Sequence, residues 1–365
     1  MRSRPRISLI LLALFAVAAA GALAAGSPAP DRVGRYFEEW FPYFPGASVA
    51  VVPVAELSLP GLDAFRADRR SSSQSHQESN VALFDRPGEE IFVGDVFGDP
   101  RRRGAGRPFT PAADLPNIQA SLAEALGLEV RVSPAAGPAH GVLRPLTIGV
   151  RQRNDAVLNR PAFVSEDGSV LAIGEFRPVS ESPRAFRQKL LAAQPGIRVG
   201  SGKALVAEFI DFQCERCRVR APEVEKVAAS YGGAVEAHFL PLVRFHDWAF
   251  TAAEAATALA SIDPALYGKY RAAIFARAEG LNEQGCRDVA ADVAEAAGVG
   301  ARYRQEIANG RARDRVLADQ ALAARLGVVI TPTFVHDGML VSGEAGLLEN
   351  RLFERLGKPP AANKR

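Results

Sequence analysis

The clearest pattern of apolar positions lies late in the chain. Ala204–Phe212 is almost continuously apolar, which predicts a strand covered on both faces. Val224, Val227, Ala228 and Tyr231 then recur at helical spacing, so a helix from Cys214 to Tyr231 packs on that strand, with Pro222 as a kink inside it. A second apolar strand, Val235–Leu242, completes a strand–helix–strand unit. Trp248–Leu326 is Ala-rich and periodic at 3.6, predicting an insertion of four or five helices. Thr333–Val335 and Met339–Val341, joined by His336-Asp337-Gly338, read as a closing hairpin, and Ala345–Leu356 as a last helix.

The region from Asp31 to about Leu190 has a different rhythm, and it occurs twice. Leu83–Val96 and Phe163–Phe176 each read as strand, Gly turn, strand, Gly, acid. Gly46–Val51 resembles Gly127–Val132, and each follows a helical stretch, Val33–Phe41 and Ile118–Leu126. Further strands begin at Pro60-Gly61-Leu62 and at Pro145-Leu146. Each copy is thus one helix followed by antiparallel strands. Polar Arg69–Asn80, which includes His76, predicts a mobile hairpin loop, and Asp99–Pro111 a linker. Pro183–Leu191 predicts a helix, and turn-rich Gln194–Gly202 a second linker. The expected organisation is small α+β units over 28–110 and 111–192, a linker over 193–202, and a catalytic domain over 203–365 with a helical insertion over 247–327.

The first residues change the picture of where the chain works. Arg2, Arg4 and Arg6, an apolar run Ile7–Ala20, and Ala22-Leu23-Ala24 make a secretory signal over 1–24, in competition with an uncleaved anchor. The net charge of +3 falls near zero once the three arginines are removed, which argues against nucleic acid as a partner. Arg101, Arg102 and Arg103 then read as a solvated loop. With only three cysteines the chain is not a disulfide-stapled scaffold. No second Cys/His pair completes a metal site, so neither metal nor cofactor is expected. Cys286 reads as a small core residue.

The chemistry falls on Cys214 and Cys217. Cys214 lies where the helix begins, and free backbone N–H groups there favour a thiolate. It is the expected attacking thiol, with Cys217, one turn on, as the resolving one. Arg216 should favour the Cys214 thiolate and Glu215 oppose it, so these two are expected to tune the couple. Glu208, a carboxylate in an apolar strand, should have a raised pKa and exchange a proton with Cys217. The competing reading is a strand-end Glu facing solvent.

These residues resemble the thioredoxin-like thiol–disulfide oxidoreductases, specifically the exported DsbA/DsbC type. The resemblance rests on Glu208, Phe209-Ile210-Asp211-Phe212, the cysteine pair, Pro222 and the later Ile330-Thr331-Pro332-Thr333-Phe334. It implies an α/β thioredoxin-like fold with a helical insertion. It also implies a cis Pro332 facing the disulfide and presenting backbone groups to substrate, Thr331 before it as in DsbC-type isomerases, and a structural His246. The intervening pair Glu215-Arg216 lacks the family's usual proline. Phe163–Gly174, FVSEDGSVLAIG, resembles the N-terminal domain of DsbC-type isomerases, which in that family holds two chains together. Two copies in one chain predict intrachain pairing in place of a homodimer. The expected activity is extracytoplasmic disulfide exchange with protein substrates and a membrane redox partner, as oxidase, reductase or isomerase. Copper(I) delivery by the same cysteines and a redox-silent chaperone are the alternatives.

Overall fold

A computed structural model describes residues 28–57, 59–70, 78–98, 111–151, 157–242 and 245–359. The leader, His76, Arg101, Arg102 and Arg103 lie outside them. Among the described residues no helix is long and apolar enough to cross a membrane.

The first half alternates helix and meander: α1 (Pro28–Trp40), β1 (Ser48–Pro53), β2 (Leu62–Arg70), β3 (Glu78–Asp85), β4 (Glu90–Gly98). The same order follows in α2 (Pro111–Leu126), β5 (Val130–Pro134), β6 (Leu143–Arg151), β7 (Val157–Ser165) and β8 (Val170–Pro178). The strands form one antiparallel sheet in the order β1-β2-β3-β4-β8-β7-β6-β5. Its halves join where β4 pairs with β8, and Gly94 lies opposite Gly174 at the centre of that register. Both glycines have left-handed φ, +150° and +155°, and a Cβ on either would lie 2.8 Å from the other's Cα. Only glycine allows this crossing.

Period-2 burial explains the layering. Phe65, Ala67, Ala82, Phe84 and Ile91 face Val33 and Phe37 of α1. Leu62, Leu83, Phe92, Leu143 and Phe163 point to the other face, where Leu57 and Leu59 pack on them. Strand β6 begins at Leu143, earlier than expected, and Pro145 lies inside it opposite Phe163. The expected hairpin loop also shrinks. Arg69 pairs with Glu78 in register and through a 3.3 Å ion pair, so the polar run is partly strand.

Next come α3 (Pro183–Ala193) and β9 (Ile197–Val199). The stretch read as a linker over 193–202 therefore contains a strand. Too short to show a period, it pairs with β11 (Gly233–Phe239), and its place is set by that partner. Between them are β10 (Ala204–Ile210) and α4 (Glu215–Ser230), and β10 runs parallel to β11. Helices α5 (Ala249–Ile262), α6 (Pro264–Ala276), α7 (Glu283–Ala296), α8 (Gly300–Ala308) and α9 (Arg311–Leu326) form the insertion. Small buried residues, Ala252, Ala253, Ala256 and Ala258, let these helices pack against Ile210, Phe239 and Tyr267. The chain closes with β12 (Thr333–His336), β13 (Met339–Ser342) and α10 (Ala345–Leu356). The sheet order is β13-β12-β10-β11-β9.

Arg187 of α3 joins the two halves of the molecule. It is 0 % exposed and donates to the carbonyls of Glu39 (2.8 Å), Trp40 (2.6 Å), Leu326 (2.9 Å) and Gly338 (3.2 Å). Its guanidinium also lies 4.6 Å from the Trp40 ring centroid. Arg187→Met orphans these buried acceptors, so we expect it to lower unfolding free energy by about 3 kcal/mol or more. Urea unfolding monitored by circular dichroism measures it.

Candidate active site

Strand β10 stops at Ile210, two residues before the apolar run does. Asp211 turns the chain: its Oδ1 accepts from the Gln213 N–H (2.7 Å), and its carbonyl accepts from the Cys214 N–H (3.1 Å). Its other oxygen accepts from the Leu242 N–H (2.7 Å) and lies 2.7 Å from His246 Nδ1. Asp211 therefore ties the end of β10 to the loop after β11 and sets the entry into α4. Cys214 is the N-cap of that helix and half-buried, and Cys217 is wholly buried in its first turn.

Their environments push the two thiols apart. Cys214 is lowered to about 5, chiefly by the hydrogen bond from the Cys217 thiol, with the backbone N–H groups of Cys217 and Arg216 adding to it against desolvation. Cys217 is pushed well above the usual thiol range by burial and by the neighbouring Cys214 charge. The couple thus has one thiolate and one thiol near neutral pH. Glu215 and Arg216 stand in the first turn of α4. Both side chains are exposed, and Glu215 lies 3.9 Å from Arg218. What Arg216 gives Cys214 is a backbone N–H.

Opposite the helix end lies the loop between α9 and β12. The Thr331–Pro332 bond is cis, and the Thr331 carbonyl is 3.5 Å from Cys214 Sγ. The Pro332 carbonyl accepts from the Gly343 N–H (3.0 Å), and Thr333 Oγ1 donates to the Ile330 carbonyl (2.8 Å). The loop is thus held from both sides, with the backbone of Thr331 turned to the cysteine.

Glu208 lies in the middle of β10 and is 0 % exposed. Burial pushes it up to about 7, with Arg271 opposing. Neither carboxylate oxygen has a hydrogen-bond partner among the described residues. The carboxylate is not alone in its strand, however. Arg271 of α6 places Nη1 4.0 Å from Oε2 and pairs on its other side with Glu225. Tyr267, one turn earlier on α6, is also wholly buried, and its phenol is pushed well up by desolvation, with the Glu208 and Cys217 charges adding. The Tyr267 phenol is thus within electrostatic reach of both the Glu208 carboxyl and the resolving thiol. Sequence reading missed Tyr267 and Arg271, although a lone Arg four residues after a Tyr in apolar Tyr267–Phe275 marks that helix face. It also left Asp211 without a role and took His246 as purely structural. His246 is raised by its Asp211 bond and by the Cys214 charge. Cys286 is buried among the insertion helices, and its thiol is pushed up to about 12. A cavity of about 590 Å³ opens beside Leu191, Ala204 and Leu205 at the other end of β10, away from the cysteines.

Residues 192–349 match the family model described as Thioredoxin. The C-terminal part of the chain has a thioredoxin-like fold. Solved structures similar to the chain include the thiol-disulfide exchange protein α-DsbA2 from Wolbachia pipientis, at 14 % identity and TM-score 0.40, covering 47 % of this chain and 97 % of that one. The catalytic domain of Proteus mirabilis ScsC shares 20 % identity at TM-score 0.39, covering 47 % and 99 %. BdbD from Bacillus subtilis shares 16 % at TM-score 0.38, covering 46 % and 94 %. No curated protein matches the chain.

Proposed function

We propose that this protein is an extracytoplasmic thiol–disulfide oxidoreductase that exchanges disulfides with protein substrates through Cys214 and Cys217. The observation that carries the reading is the split pair of thiols, with Cys214 lowered to about 5 beside the Thr331 carbonyl. A substrate thiolate attacks Cys214 Sγ of the oxidised pair, and Cys217 leaves with the electron pair and takes up a proton. A second substrate thiolate then attacks the substrate sulfur of the mixed disulfide. Cys214 leaves as a stable thiolate, the substrate is oxidised, and the pair is reduced.

The low Cys214 pKa also favours a direction. At pH 7 a thiolate with pKa about 5 stabilises the reduced form by roughly 3 kcal/mol relative to an ordinary thiol, or about 60 mV for a two-electron couple. That moves the pair toward disulfide donation. Protein substrates fit the surroundings. Val329 and Ile330, 75 % and 51 % exposed, lead directly into Thr331, and exposed Phe245 precedes His246. An extended polypeptide finds apolar contacts there and backbone groups at Thr331. Export rests on the amino-terminal sequence. The two α+β units are taken as duplicate halves that pair through Gly94 and Gly174 within one chain, replacing a second copy. The test is refolding of a reduced, unfolded disulfide enzyme. Stoichiometric oxidised protein should restore its disulfides and activity, and no recovery above glutathione alone contradicts the reading.

A further inference from the structure

The two halves of the eight-stranded sheet permit a residue-by-residue comparison. Leu59 bridges Leu62 just as His140 bridges Leu143. Leu62 then pairs with Asp85 in β3, and Leu143 with Ser165 in β7. Glu90 opens β4, and Val170 opens β8. One set of these positions, Leu59 of the first half with Ser165 and Val170 of the second, cannot hold an ion. The matching set is His140 of the second half with Asp85 and Glu90 of the first, and these side chains converge.

His140 Nδ1 is 3.0 Å from Asp85 Oδ2 and 3.3 Å from Glu90 Oε2. The three donor atoms all lie within 4.8 Å of one another. His140 is 4 % exposed, and its ring is clamped by Phe176, stacked at 3.8 Å, and by the edge of Phe163 at 5.5 Å. Asp85 is 7 % exposed, and the Glu90 side chain 27 %, so the cluster is closed on the core side and open past Glu90. Gly88, in the turn between them, leaves room beside the donors. A Cβ there would lie 3.1 Å from Asp85 Oδ2 and 3.2 Å from Glu90 Oε2.

Two carboxylates against one imidazole in a mostly buried place carry excess negative charge, which a bound cation relieves. Ligand bonds of about 2.0–2.2 Å at tetrahedral angles separate neighbouring donors by about 3.3–3.6 Å, near the 3.0 and 3.3 Å from His140 Nδ1 to the two carboxylates. One imidazole and two carboxylates suit zinc better than calcium or magnesium, which favour all-oxygen shells. We propose that Asp85, Glu90 and His140 form a site for one divalent transition-metal ion, Zn²⁺ by its donor set, with water in the remaining position. The ion would bridge the β3–β4 turn of one half to the loop before β6 of the other, outside the cysteine chemistry.

The test uses the full chain carrying C214S and C217S, so that those thiols cannot bind metal. After chelator treatment, Zn²⁺ is titrated in competition with a chromophoric chelator, and Co²⁺ binding is followed by its absorption. The control variants, His140→Leu, Asp85→Ser and Glu90→Val, take their side chains from the other half of the sheet, where the same fold accepts them. The expected result is one Zn²⁺ per chain, a melting temperature that rises with Zn²⁺, cobalt bands without thiolate charge transfer, and loss of all three in H140L. Should H140L fail to fold, D85S and E90V make the same comparison. No Zn²⁺ binding by the parent, or equal binding in a folded variant, overturns the proposal and leaves a buried hydrogen-bonded His–Asp pair.

Discussion

Cys214→Ser abolishes disulfide exchange, while Cys217→Ser leaves a protein that forms a mixed disulfide and stalls there. The asymmetry follows from depth and charge. Cys214 caps the helix, is half-buried, and has its thiolate stabilised by the Cys217 thiol and by two backbone N–H groups. It is the sulfur that incoming chains can reach. Cys217 is wholly buried and held protonated, so it meets only Cys214. Removing it takes away the internal nucleophile that resolves the adduct. Non-reducing electrophoresis after incubation with substrate gives the readout: a substrate-sized shift for Cys217→Ser and none for Cys214→Ser. A shifted band with Cys214→Ser would mean that the roles are reversed.

Glu208→Gln slows the steps that move the Cys217 proton by about a hundredfold at pH 7, the low end of general acid–base effects. A thiol held well above its usual range must lose its proton to attack a mixed disulfide and regain one on leaving. The buried carboxyl, pushed up to about 7, is matched to both tasks. The wild-type rate should therefore carry an ionisation near pH 7 that the variant lacks, and an unchanged pH profile would remove Glu208 from the mechanism. Stability changes with a definite sign. Because the folded pKa of Glu208 is raised, the protonated carboxyl favours the fold fully below about pH 4.5, and that contribution is lost as pH rises through about 7. Wild type should thus lose up to about 3 kcal/mol between pH 4.5 and pH 8, and Glu208→Gln should not lose it. Urea midpoints at pH 5 and pH 8 measure the difference.

The parts legible in the sequence were those with a local period or a local motif. The strand into Asp211, the helix carrying both cysteines, the Ala-rich helices and the closing hairpin each state their type over ten residues or so. The two Gly-marked hairpins could be matched to each other because Gly94 and Gly174 are needed where the strands cross. What stayed hidden depends on distant partners. Strand β9 has three residues and exists because β11 offers an edge. Pro145 looked like a strand start, but its neighbours on β7 hold it within the ladder. Arg271 and Tyr267 belong to α6, and no spacing along the chain connects them with Glu208. Tuning by the Glu215 and Arg216 side chains would act through exposed charges, which solvent screens, whereas the backbone N–H groups of Cys217 and Arg216 bond the Cys214 sulfur. His140 lies 55 residues from Asp85 and joins it and Glu90 only because the halves of the sheet meet.

The most direct test of the central claim is the equilibrium potential of the Cys214–Cys217 pair, titrated against a glutathione series with the redox state read by thiol alkylation. The account predicts a single two-electron transition on the oxidising side of about −270 mV, the value for a thioredoxin with a cysteine near pKa 7. A pair that never titrates as a two-electron couple, or one poised below that value, would contradict it.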